Sequence, residues 1–240
     1  MCGRYVFTSP FDAIVRLFSV AEVHAGPYEP RYNIAPTQDV PIVRNSPFVG
    51  DGQAGAAVRE LVLARWGLVP FWAKDISTGN RMINARAETV AETPAFRAAF
   101  RKRRCLVPAD GFYEWKKSEG AKQPWFVRAR SGEPLAFAGL WELWDAEGEE
   151  LRLQTCTIIT TRANAFMAPL HVRMPAVLQA DAREAWLDAD TPASELLGLL
   201  QPRDDDSLEA WPVSRKVNSP FNEAPELIEP WRPRANRVSD

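Results

Sequence analysis

The sequence predicts an α+β fold: one domain with a mixed or antiparallel β-sheet core, able to close on itself like a barrel, surrounded by helices. Three observations carry this. Strand-like apolar runs outnumber helix-start signals, most of these runs follow one another directly, and the regular strand–helix alternation of a parallel α/β array is missing. In chain order, Ser9 and Pro10 make an N-cap and first-turn pair ahead of the amphipathic stretch FDAIVRLF. With Asp12 in the first turn, this predicts a helix over about 10–19. VPIVR at 40–44 and VRELVLARW at 58–66 read as strands, joined by a surface loop at about 46–57, SPFVGDGQAGAA. Thr93 and Pro94 repeat the helix-start signal before AFRAAFRKRR. Strands then follow at 104–108, 111–116, 124–129, 134–143 and 151–160. Asp181 opens AREAWLD, and Thr191 with Pro192 opens ASELLGLL. From about residue 220 a Pro-rich tail shows no periodicity. No repeat or linker divides the chain, so residues 1–240 are read as a single domain.

The bulk composition narrows the function classes. At 240 residues, 46% hydrophobic and 25% charged, the chain has the make-up of an ordinary soluble protein. It lacks an apolar run of roughly 18 residues and a signal-peptide layout, which leads to the expectation of a cytoplasmic protein with no membrane association. Three cysteines at positions 2, 105 and 156, without a CxxC pair, argue against a disulfide framework and a thiolate zinc site. Neither a P-loop nor a GxGxxG pattern supports nucleotide chemistry. The net charge of -2 excludes coating of nucleic acid by bulk positive charge. The charge is uneven, however. Arg81, Arg86, Arg97, Arg101, Lys102, Arg103 and Arg104 face only Glu88 and Glu92 in 81–104, whereas 181–210 is strongly acidic. The basic stretch reads either as a phosphate-attracting face or as a solvated helix end.

Four residues could carry chemistry. Removal of Met1 would leave Cys2 as a 1,2-aminothiol, in which the amine forms a Schiff base with an aldehyde and the thiol closes on the same carbon. The other reading of Cys2 is an incidental second residue. His171, in PLHVRMP, is either a loop base or a structural histidine. Glu114, between Tyr113 and Trp115, is either a desolvated general acid/base or an outward carboxylate on an alternating strand. Asn84 and Arg86 in INARAET point the same way if the backbone is extended. Among the aromatics, Trp72 lies in RWGLVPFWAKD, where Gly67 and Pro70 break regular structure, and an exposed ring there suits stacking on unpaired bases.

Taken together, MCGRY at 1–5, RYNIAPTQ at 31–38, WGLVPFWAKD at 66–75, INARAET at 83–89, CLVPADGFYEWK at 105–116, TTRAN at 160–164, HVRMP at 171–175 and PVSRKVN at 212–218 resemble the SOS-response-associated peptidase (SRAP) family of abasic-site processing proteins. The resemblance runs over nearly the whole chain. It implies covalent capture of abasic sites in single-stranded DNA, including junctions with duplex, by a monomer that needs no cofactor or metal and associates with the nucleoid when engaged. It further implies that Cys2 is the covalent residue and that Asn84 positions the sugar or the Cys2 terminus. Glu114 and His171 would assist ring opening and proton transfer. Arg4, Arg86 and Arg173 would contact phosphates, and Trp72 would stack beside the lesion. A lyase activity through the same Schiff base, and the peptidase activity in the family name, extend this expectation. Two other readings are a thiol peptidase using Cys2 and His171, and a non-covalent single-strand binding module using Trp72 and the arginines.

Overall fold

The computed structural model describes residues 2–46, 58–117, 120, 122–145, 152–202 and 205–231. In chain order its elements are β1 (Tyr5–Phe7), α1 (Phe11–Phe18), β2 (Glu22–Val23), β3 (Arg31–Ile34), β4 (Asp39–Asn45), β5 (Arg59–Trp66), β6 (Asn84–Arg86), α2 (Arg97–Lys102), β7 (Arg104–Ala109) and β8 (Gly111–Lys116). They continue with β9 (Gln123–Ala129), β10 (Leu135–Asp145), β11 (Arg152–Arg162), β12 (Arg173–Pro175), α3 (Ala182–Leu187), α4 (Ala193–Leu199) and β13 (Leu208–Pro212). None of the described helices is long and apolar enough to cross a membrane.

Five strands close into a barrel in the order β11, β10, β7, β4, β5. The ring is sealed by a parallel pairing of β5 with β11, Arg65 opposite Thr155 and Trp66 opposite Cys156. The strands β12, β6 and β2 extend this sheet. A second, antiparallel sheet runs β13-β9-β8-β1-β3. The barrel strands are nearly continuous apolar runs because closure buries them: eight of the first eight residues of β10, Leu135 to Glu142, are buried. Tyr5, Trp66 and Phe137 pack edge-to-face within this core, with centroids 5.4 and 6.3 Å from Tyr5.

The chain passes from the barrel to the second sheet through Asp110, between β7 and β8. Its carboxylate accepts hydrogen bonds from the backbone of Thr8 and Ser9 and from the Ser9 hydroxyl, pinning the end of β1 to this corner. This corrects the expected role of Ser9: α1 starts after Pro10 without a side-chain cap, because the Ser9 hydroxyl is committed to Asp110. The Thr93–Pro94 signal is likewise displaced, with Thr93 bonding back to Thr89 and α2 beginning at Arg97.

Two further expectations change. Arg104 is not part of a solvated basic end. It is buried and donates to the carbonyls of Phe100, Arg101, Trp186 and Asp188, while Arg103 pairs with Glu142 at 2.6 Å. The segment after Pro220 contains a short 3-10 turn, Pro225–Ile228, anchored by buried Leu227. Of the loop expected at 46–57, residues 47–57 lie outside the described residues.

Candidate functional site

Strand β1 lies between β3 and β8, an unusual place for a chain's first residues. Tyr5 pairs with Phe112 and Val6 with Gly111, and the Tyr113 N–H donates to Arg4 O at 2.9 Å. Continuing this antiparallel register outward brings Gly3 level with Glu114. Cys2 is thereby carried into the main hydrophobic cluster and is fully buried.

Asn84 approaches from the other sheet. Parallel pairing of β6 with β11 sets Asn84 opposite Ile158, and its Nδ2 donates to the Cys2 carbonyl at 2.8 Å. The Asn84 Oδ1 is buried and has no hydrogen-bond partner among the described residues.

Glu114 is 2% exposed. Burial, the largest cause, raises its carboxyl above the ordinary carboxylate range against the opposing pull of the amino-terminal charge and His171. Its Oε1 stands 4.0 Å from His171 Nδ1. The same Nδ1 lies 3.0 Å from the Arg173 backbone N and 3.2 Å from the Arg173 carbonyl oxygen, so the backbone of Arg173 orients the ring. Burial, and then the Glu114 charge, push the Cys2 thiol well above its ordinary range, so at neutral pH it is a thiol. Cys2, Asn84, Glu114 and His171 therefore converge in space although they come from four separate parts of the chain.

The outer residues are placed differently. On the extended β6, Asn84 and Arg86 share a face, and Arg86 is exposed. Arg173 is held by Glu88 at 2.7 Å and by the Thr160 carbonyl. Arg4 donates from Nη1 to Asn33 Oδ1 and Val217 O, each at 2.8 Å. Buried Asn33 also donates to the carbonyls of Ser219 and Asn222, tying the C-terminal segment to the first residues of the chain. Asn33 entered the sequence reading only within RYNIAPTQ, and its burial on the four-residue strand RYNI has no local sequence signal.

Trp72 is 53% exposed and the adjacent Phe71 62% exposed. Their loop is nevertheless firmly held. Gly67 has φ +127, and a Cβ on it would lie 2.6 Å from Gly79 O, so only glycine permits this close backbone approach. Val69 N–H donates to Thr155 Oγ1 at 3.0 Å, and Trp144 Nε1 donates to Ala73 O at 2.6 Å. Trp66 is fully buried and bonds Ile83 O, next to Asn84. Two aromatic rings thus project from a rigid loop; only Trp72 was singled out from the sequence.

The chain matches the model of the SOS response associated peptidase (SRAP) family over residues 1–220. It is 45% identical over 233 residues to the abasic site processing protein YoqW of Bacillus subtilis, covering 95% of this chain and 99% of that one. It is 34% identical over 229 residues to the abasic site processing protein HMCES of Gallus gallus, covering 85% of this chain and 67% of that protein. A solved structure from Bacteroides thetaiotaomicron superposes with a TM-score of 0.84 at 23% identity, covering 96% of this chain and all of that one, and shares the fold. A second, from Bordetella bronchiseptica, gives 0.72 at 26% identity, covering 89% of this chain and 100% of its own.

Proposed function

Given that the chain belongs to the SRAP family, we propose that it processes abasic sites in DNA, and that it captures them in single strands as a covalent adduct on Cys2. The observation that supports this most is the convergence on Cys2 itself: its carbonyl held by Asn84 and its thiol set beside Glu114, which in turn faces His171. Once Met1 is removed, the Cys2 nitrogen becomes the α-amine, with a reference pKa of about 7.7–8.0 that leaves part of it unprotonated near neutral pH.

The chemistry runs through the open form of the abasic sugar. The closed hemiacetal loses its hydroxyl proton while the ring oxygen gains one, exposing an aldehyde at C1′. The amine lone pair adds to this carbon, and the aldehyde oxygen leaves as water after protonation. The thiol sulfur then adds to the iminium carbon and its proton passes to a base, giving a thiazolidine. Neither oxidant nor reductant is consumed. Glu114, whose carboxyl holds its proton to higher pH than usual, suits both the delivery and the recovery of these protons, and His171 lies in range to share them. Exposed Phe71 and Trp72 would stack on bases flanking the lesion, and Arg86 would meet a phosphate.

A thiol peptidase would need the Cys2 thiolate, which requires a depressed pKa. Burial and the neighbouring carboxylate shift this thiol the opposite way. The test is incubation of the Met-processed protein with an abasic single-stranded oligonucleotide. A denaturation-resistant band is expected, of mass equal to protein plus DNA less one water, and absent when an extra residue precedes Cys2. A band that persists with the blocked terminus would overturn the reading. In Cys2→Ala, a Schiff base trapped by borohydride, or strand cleavage in its absence, would report a lyase route through the amine alone.

A further inference from the structure

A second polar cluster lies outside this site, where the two-residue strand β2 is laid parallel to β5. The register sets Glu22 opposite Glu60, and His24 is held level with them by its backbone N–H to Leu61 O at 2.9 Å. Carboxylates facing each other across neighbouring strands repel, and here Arg44 pairs with Glu60 while the His24 ring is hydrogen-bonded to Glu22. His24 Nε2 lies 2.9 Å from Glu22 Oε2 and 3.6 Å from Glu60 Oε2. Among the described residues this is a group whose three donor atoms all lie within 4.8 Å of one another. Donor atoms of a tetrahedral zinc site, with bonds of about 2.0–2.2 Å, stand about 3.4 Å apart, and the two measured spacings bracket that value.

The cluster is also built from beneath. The Glu60 side chain is 5% exposed, and its Oε1 accepts from Arg44 Nε at 2.7 Å. Its Oε2 is turned toward His24, at ion-pair distance but outside hydrogen-bond length. Arg44 lies over the Trp141 ring at 3.9 Å, which fixes the buried arm of the cluster. The cluster sets two carboxylates, Glu22 and Glu60, against the one guanidinium of Arg44 beside the His24 ring. Glu22 and His24 are half exposed, so an ion can enter from solvent and water can complete its coordination.

We propose that Glu22, His24 and Glu60 form a structural site for a divalent transition-metal ion of the zinc class, which clips β2 onto β5. A mixed imidazole and carboxylate donor set suits zinc rather than magnesium or calcium, which take oxygen ligands. The ion would cover the outer edge of the eight-stranded sheet, where β2 is only two residues long and both are exposed. The proposal stands independently of the chemistry assigned to Cys2.

Calorimetric titration of the metal-free full chain with zinc chloride, paired with thermal melts, tests it. One equivalent is expected to bind and to raise the melting midpoint by several degrees. His24→Ala and Glu22→Gln, both at half-exposed positions, should weaken binding at least about tenfold and remove the shift. Cys2→Ser is carried alongside because a cysteine thiol is another zinc ligand; it should leave the zinc affinity and the zinc-induced shift in melting unchanged, whatever its own midpoint. Cobalt in place of zinc should give d–d bands with no thiolate charge-transfer band. Absence of binding, equal affinity in His24→Ala, or loss of binding in Cys2→Ser would each overturn the proposal.

Discussion

Replacing Asn84 by Asp exchanges one heavy atom, nitrogen for oxygen, and almost no volume, yet it reverses the polarity of the contact that holds the Cys2 carbonyl. In the parent, Asn84 Nδ2 donates to that carbonyl across 2.8 Å. In Asn84→Asp the same position carries an oxygen, so two acceptors face each other and must separate. The lost hydrogen bond is worth about 1 kcal/mol net, and the orphaned buried carbonyl costs about 1–3 kcal/mol more. If the contact serves mainly to position the Cys2 terminus, a loss of about 2–4 kcal/mol in the transition state slows capture by roughly 30- to 1,000-fold at 1.36 kcal/mol per tenfold. The assay is the single-turnover time course of denaturation-resistant adduct on an abasic oligonucleotide, with Met1 removal in both proteins verified by mass spectrometry and global stability followed by melting. Capture at the parental rate by a folded, processed Asn84→Asp protein would refute the positioning argument. Slow capture accompanied by incomplete processing would instead move the effect to maturation.

Three further outcomes are expected. Glu114→Gln should abolish or strongly slow capture while stabilising the fold in a pH-dependent way. Because burial raises the folded-state pKa of Glu114, its contribution is complete below the unfolded value of about 4.3 and lost as pH climbs through the folded one. The variant should therefore melt with the parent at pH ~4 and above it at pH ~8; a gap that widens toward acid would contradict this sign. Phe71→Ala and Trp72→Ala should leave stability within about 0.5 kcal/mol, because both rings are exposed, yet each should weaken binding to single strands by about 1–3 kcal/mol in fluorescence anisotropy. Unchanged affinity in the double variant would remove the stacking role. Arg104→Met should destabilise the protein by about 3–5 kcal/mol in denaturant titration, since the carbonyls it holds lose their donor, but leave the salt dependence of DNA binding unaltered. A reduced salt slope would show that Arg104 contacts phosphate after all.

These contrasts mark where sequence reasoning reached and where it stopped. Long apolar runs such as LAFAGLWEL announce their burial directly, and β10 and β11 lie where the pattern put them. Strands β1, β3, β6 and β12 have only three or four residues each, and their form comes from partners distant in sequence, so no local periodicity marks them. Ser9 carried a sound capping signal that was overruled by Asp110, 101 residues away. RKRR at 101–104 left two readings open, a phosphate-attracting face or a solvated helix end, because the carbonyls that Arg104 holds arrive 82 and 84 residues later. The candidate site residues were each ambiguous alone: a Cys at position 2, an Asn and an Arg two apart, and a Glu among aromatics stood out only when the motifs were taken together. Their supports, Asn33 for Arg4 and Glu88 for Arg173, are ordinary polar residues until the fold brings them together.

The placement of β1 sets a clock on maturation. A strand lodged between β3 and β8 cannot be secured before β8 has been synthesised, and once it is secured Cys2 has no exposed surface. On the proposed reading, in which the leading residue is removed, burial of Cys2 favours trimming while the chain is still being made. The interval is the time taken to translate roughly 110 residues, about 6–20 s at 5–20 residues per second. The protein's reactive fraction would then depend on how trimming competes with the arrival of Gly111–Lys116.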